Sequence, residues 1–202
     1  MKKTYQTIWN HEVKQYDQIS RILLAHTQVK PGWKSLLPPL LLLDYFRYKR
    51  RLYLTQKNLL LTKQLAFNAA RGIHNGKDKA WEMRSIEIET KELLDKEKKG
   101  YYGPKVRRKQ LYEIEILIDH YLGLLRSTPS KFNEMVKQAY PTKTIYLSFL
   151  NKLNRAEKEV MQAAISTMRK GSKKDRNKWF DKVAQTISKI RIKEAGHLFS
   201  KK

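Results

Sequence analysis

The sequence predicts an all-α protein, a multi-helix bundle of about six or seven amphipathic helices, one of them long (about 38–71). Apolar residues recur at three- and four-residue steps along most of the 202 residues, the period of a helix that buries one face. Turn-forming residues such as Lys30-Pro31-Gly32, Asn75-Gly76, Gly100 and Gly171-Ser172 separate these stretches at helix-length intervals. No alternating strand pattern, internal repeat or low-complexity linker stands out, so 1–202 reads as a single helical domain with a sub-boundary near 72–78 and a basic C-terminal helix over 172–200.

The first helix is set by Tyr5, Ile8, Trp9, Val13, Tyr16, Ile19, Ile22 and Leu23, which share one face between Thr4 and Val29. The long second helix opens at Ser35 or at Pro38-Pro39, since proline is tolerated in a first turn. Within it Tyr45, Leu52, Leu59, Ala66 and Ile73 recur every seven residues, with Leu41, Tyr48, Thr55, Thr62 and Ala69 four positions before them. Such a seam packs along another helix; Thr55 and Thr62 weaken it, which favours a bundle neighbour over a homo-oligomer formed through the 41–73 helix.

Asp78 is placed to cap a third helix, the only acidic stretch, from Lys79 to about Lys99. Pro104 opens the fourth, where Leu111, Ile114, Ile118, Tyr121, Leu122 and Leu125 keep the cleanest helical period in the chain. Thr128-Pro129 opens a short helix to Tyr140, and Pro141-Thr142 the next, which carries Tyr146, Leu150, Leu153, Ala156 and Ala163 inward. The last helix turns Phe180, Val183, Ile187 and Ile190 inward and shows Lys182, Lys189, Arg191 and Lys193 to solvent.

The net charge of +24 is far beyond the roughly 2 to 8 that keeps a small domain soluble. Self-repulsion of that size calls for an anionic partner: an anionic membrane surface, a nucleic acid, or an acidic protein. With 30 lysines against 13 arginines, the balance leans away from base readout, which favours the bidentate arginine fork. There is no cysteine, which excludes disulfides and thiolate chemistry. The start of the chain lacks a signal-peptide core, so the expected location is cytoplasmic, at the inner face of the membrane.

One constellation fits membrane docking: Trp33, Leu36, Leu37, Leu40, Leu41, Leu42, Leu43 and Phe46, followed by Arg47, Lys49, Arg50 and Arg51. Four consecutive leucines encircle a helical turn, so they need burial on every side or a place in lipid. Six buried leucines contribute on the order of 9 to 18 kcal/mol gross, and four basic residues at an anionic leaflet about 4 kcal/mol more. A buried hairpin between the first two helices would gain the same leucine burial.

Two further stretches suit an anion. Tyr101, Tyr102, Lys105, Arg107, Arg108 and Lys109 surround a helix start, where cations oppose the helix dipole unless an anion joins them. Lys173, Lys174, Arg176 and Lys178 begin the terminal helix as a basic strip. Solvated charge is the plain alternative for both.

No catalytic residues, metal site or cofactor is expected. Glu113, Glu115, Asp119 and His120 share one helix but lack the Glu-x-x-His spacing of a carboxylate metal bundle and read as ordinary helix charges. His11, His26, His74 and His197 are scattered, and no phosphate-binding loop or nucleophile elbow occurs. The expected function is a non-enzymatic basic helical protein docking on an anionic surface, as a peripheral membrane scaffold or adaptor. The alternatives are a nucleic-acid-binding protein that contacts phosphates, and a basic subunit gripping an acidic protein.

Overall fold

The computed structural model describes residues 2–25, 60–96, 102–167 and 173–200. Among the described residues there are seven helices and no strand, as the periodicity predicts. They are α1 (Lys2–Ala25), α2 (60–74), α3 (Lys79–Lys96), α4 (Pro104–Leu125), α5 (Phe132–Ala139), α6 (Lys143–Thr167) and α7 (Lys173–Phe199). The start of the long helix and the whole Trp33 to Arg51 constellation lie outside the described residues.

Local chemistry sets the ends. α2 stops where Gly76 adopts φ +96, a left-handed conformation costly for residues with a Cβ. Two residues later the Asp78 carboxylate accepts a bond from the Trp81 N–H (2.9 Å) and caps α3. Asp78→Ala is therefore expected to cost about 1 kcal/mol; an unchanged urea midpoint would show the cap to be idle. Pro104 occupies the first position of α4, behind an extended Gly103 with no side-chain cap.

α5 departs from expectation. It begins at Phe132 rather than at Pro129, because Thr128 is held by Gln138 near the far end of the helix, through its N–H (3.0 Å) and hydroxyl (3.2 Å). The loop thus folds back along α5 instead of entering it. Thr142 caps α6 as expected, its hydroxyl accepting from the Ile145 N–H (3.2 Å).

α4 is the central helix: α6 packs along it, α7 packs along α6, and α1, α3 and α5 also rest on α4. Cross-helix pairs show that the neighbours run antiparallel. Tyr5 bonds to Asn75 and Glu12 meets Lys63 between α1 and α2. Lys79 bonds to Asp119 and Arg107 to Thr90 between α3 and α4. Lys109 pairs with Glu159 between α4 and α6, where Gly103 also lies against Thr167. Lys158 pairs with Asp181 and Glu157 with Arg191 between α6 and α7.

The core divides into two apolar clusters. The larger holds Ile8, Phe67, Ile114, Leu117, Tyr121, Met135, Leu150, Leu153, Ala195 and Leu198 among others. The smaller holds Tyr16, Ile19, Leu60, Val183 and Ile187. In α2, Ala66 and Ala69 are buried together with Leu65, Phe67 and Ala70. The seam residues Ala66 and Ala69 thus belong to the larger cluster, and beside them Phe67 stacks on Trp9 and meets Tyr121 edge-on.

Because the neighbours are antiparallel, the C-terminal ends of α1, α3 and α6 lie with the N-terminal ends of α2, α4 and α7. No described helix is long and apolar enough to cross a membrane.

Candidate functional site

Between the two clusters lies a layer of charge. Five helices each supply one buried ionisable side chain to it: Glu12 from α1, Lys63 from α2, Glu113 from α4, Glu157 from α6 and Arg191 from α7. Each sits on its helix's apolar stripe, one or two turns from apolar neighbours such as Ile8, Ala66, Leu117, Leu153 and Ile187. The terminal helix corrects the sequence reading here, because Arg191, expected at the solvent face, is only 2% exposed. The run Val183, Ile187, Arg191, Ala195, Leu198 continues one face, and the long side chain follows its period into the core.

Burying ions without partners costs several kcal/mol each, so the layer has to be internally matched. The Arg191 fork grips the Glu157 carboxylate with both arms, Nη1 to Oε2 and Nη2 to Oε1, each at 2.7 Å. The other two Nη protons go to the Tyr16 hydroxyl (2.9 Å) and to Asn154 Oδ1 (2.5 Å). The Tyr16 hydroxyl in turn donates toward Glu157 Oε1 (3.4 Å). The second pair is looser: Lys63 Nζ lies 3.8 Å from Glu12 Oε2 and 5.4 Å from the centroid of the Tyr16 ring.

These surroundings set the protonation states. Burial alone would raise the Glu157 carboxyl, but Arg191 outweighs it and holds the group below the usual carboxylate range. Glu113 has no such fork. Burial, and then repulsion from Glu157, push it up to about 8, with Lys63 and Arg191 only partly offsetting them. Near neutral pH it carries a proton, which leaves two carboxylates facing two cations. Burial and Glu157 likewise push the Tyr16 hydroxyl well up.

The layer leaves little space beside it. A cavity beside it, lined by His11, Glu12, Lys63, His120, Phe149 and Arg191 among others, measures about 20 Å³, room for one water-sized group. Among the described residues no group of three or more His, Asp or Glu side chains is arranged to hold a metal; the positions facing these carboxylates are taken by Lys63 and Arg191.

The four acid–base residues on α4 separate by face. Glu115 and Asp119 are exposed, Asp119 bonding to Lys79 (2.6 Å). His120 is buried, bonded through Nδ1 to the Tyr140 hydroxyl (2.7 Å) and stacked on Phe149 at 4.3 Å. Burial, then the Lys63 charge, push its pKa well down, so it is neutral. His11 bonds to Glu194 (2.7 Å) and stacks on Phe132.

The basic run at the start of α4 does not converge on one point. Arg107 turns back to α3, donating to the Glu87 carbonyl (2.6 Å) and the Thr90 hydroxyl (3.1 Å). Lys109 pairs with Glu159 on α6 (2.6 Å). Tyr102 is half-buried with its hydroxyl donated to Gln110, and burial pushes its pKa up to about 12. Lys105 and Arg108 remain exposed at the surface. Tyr101 and the side chains of Lys173, Lys174, Arg176 and Lys178 lie outside the description.

The structure adds a surface feature that the sequence reading passed over. Tyr112, Asn151, Lys152, Arg155 and Glu159 line an open groove of about 520 Å³ between α4 and α6, and Tyr112 is 47% exposed. The signal was a tyrosine on the polar side of α4, facing a lysine and an arginine three residues apart on α6.

Compared with protein-family models, with curated proteins and with solved structures, the chain matches none.

Proposed function

We propose that this chain is a non-enzymatic basic helical protein that docks on an anionic surface, an anionic membrane leaflet at its cytoplasmic face, as a scaffold or adaptor. The observation that carries this is where the charge lies. The buried Asp, Glu, Lys and Arg residues among the described residues are Glu12, Glu82, Glu113, Glu157, Lys63 and Arg191, so burial withdraws more acids than bases. Among the described residues the core therefore takes up none of the surplus behind the net charge of +24.

The test is co-sedimentation with phosphatidylserine-containing and neutral vesicles across a salt series. Docking predicts binding to the anionic vesicles, with a part that survives high salt if the 36–46 leucines enter the leaflet. Sedimentation with neither kind of vesicle at any salt would sink the membrane reading. A nucleic acid is the second reading, favoured by the groove in which exposed Tyr112 lies with Lys152 and Arg155, a cation-and-ring combination that suits a single strand. In that case Tyr112→Ala weakens oligonucleotide binding by about 1 to 3 kcal/mol, read by fluorescence anisotropy.

A further inference from the structure

We infer that the groove between α1 and α2 holds an unpaired nucleotide of a single-stranded nucleic acid. This goes beyond membrane docking and rests on the nucleic-acid reading, to which it adds a second site. The two helices run antiparallel, with Tyr5 on Asn75 and Glu12 beside Lys63, and so set Tyr5, Gln6 and Trp9 opposite Gln64, Phe67, Asn68 and Arg71. Together these residues line an open hollow of about 300 Å³, at the lower end of the range that takes small ligands.

The lining departs from the rest of the surface. In a chain of which 31% is charged, the hollow carries Arg71 and no acid. The Arg71 guanidinium lies 4.6 Å from the centroid of the Tyr5 ring, and among the described residues no carboxylate pairs with it. Gln6, Gln64 and Asn68 are exposed, and their amides enter no hydrogen bond among the described residues.

The rings are held in advance. Phe67 is buried, and Trp9 stacks on it nearly parallel, with centroids 5.7 Å apart. Tyr5 meets Phe67 and His74 edge-on, while its hydroxyl donates to Asn75 (3.0 Å). Tyr5 and Trp9 are half-buried and line the hollow, so a flat ring finds an aromatic wall that needs no rearrangement.

The ligand follows from the three kinds of group. Aromatic walls stack on a base, and a guanidinium fork holds a phosphate oxygen pair. An amide offers donor and acceptor in one plane and turns to suit either order, so it accepts the edge of any base. A phospholipid headgroup would use Arg71 and leave the rings and amides unmatched. A paired base keeps its faces inside the stack. An unpaired nucleotide engages all three sets at once.

The test uses the full chain and a labelled single-stranded DNA of mixed sequence, followed by fluorescence anisotropy. Asn68→Ala with Arg71→Gln is expected to weaken binding roughly tenfold, whereas Lys137→Gln with Lys143→Gln, at exposed positions on α5 and α6, changes it less than about twofold. The affinity for a duplex of the same sequence should be the same for the Asn68→Ala, Arg71→Gln variant and the wild type. In parallel, a strand containing bromouracil is crosslinked to the unaltered chain by ultraviolet light, and peptides carrying Tyr5 or Trp9 are expected among the products in mass spectra.

Unchanged single-strand affinity in the folded Asn68→Ala, Arg71→Gln variant overturns the inference. Crosslinks confined to Tyr112 overturn it too and leave the nucleic-acid reading standing. An equal loss for the duplex overturns the unpaired base as the ligand. A variant that loses binding to phosphatidylserine vesicles but keeps the single strand assigns the hollow to a lipid headgroup instead. Failure of the wild-type chain to bind any single strand at low salt overturns the nucleic-acid reading and this site with it.

Discussion

Arg191→Met is expected to destabilise the fold by about 3 to 5 kcal/mol, a large fraction of the roughly 5 to 15 kcal/mol that holds an ordinary domain together. The substitution keeps most of the apolar stem but withdraws both arms from Glu157, and with them the donors to Tyr16 and Asn154. What remains is a buried carboxylate without a counter-ion, and the cost is the desolvation no longer repaid. Urea denaturation measures it. Adding Glu157→Met to Arg191→Met should recover at least half of the loss, because removing both ions also removes the penalty. The difference between wild type and Arg191→Met should narrow in acid. Glu157 is held below its ordinary value, so the pair's contribution is present above the usual carboxylate range and fades as the pH falls through the folded value. A loss under 1 kcal/mol at neutral pH would mean that the ion pair is open to water.

Glu113→Gln should act in the opposite sense and at the opposite end of the pH scale. In the folded chain the Glu113 carboxyl is raised from 4.5 to about 8, so the native state holds its proton where the unfolded state has released it. Its favourable contribution is full below about 4.5 and is lost as the pH rises toward 8. Glutamine keeps the shape and cannot ionise. The variant is therefore expected to gain stability over wild type progressively across that window and to level off above it, with a final gain on the order of a few kcal/mol. Denaturant midpoints at several pH values, wild type beside variant, give the result directly. Parallel curves would show that Glu113 keeps an ordinary acidity and that water reaches it.

Most of the helices are legible in the sequence because burial of one face imposes a period that no other element shares. The stripe on α4 is an example: Ile114, Ile118, Tyr121, Leu122 and Leu125 were expected inside and are buried. The start of α5 was not legible, since it depends on Thr128 bonding to Gln138, a contact across the whole short helix. The charged layer was missed for a different reason. Lys and Arg are so frequent in this chain that one more on a helix reads as solvated, and Arg191 was assigned by residue type rather than by position. Position was the better guide. Glu12 lies between Ile8 and Tyr16, Glu157 beside Leu153 and Ala156, and Arg191 between Ile187 and Ala195, each in phase with the apolar residues around it. What no single helix reveals is that these charges meet, because partners such as Tyr16 and Arg191 are 175 residues apart.

The charged layer also bears on how the helices choose their alignment. An amphipathic stripe of leucines, isoleucines and alanines is nearly indifferent to sliding by one turn, since one aliphatic contact replaces another at little cost. A layer assembled from five separate helices has no such tolerance. Sliding α7 by a single turn, about 5.4 Å, would carry the Arg191 fork out of reach of Glu157 and strand two ions in an apolar interior. The same displacement of α1 would part Glu12 from Lys63. Each charge works as one notch of a key, and the apolar clusters on either side can close only when all the notches are aligned. A chain whose exterior is crowded with like charges has little else to tell one packing of its helices from another, and it keeps that information at the centre.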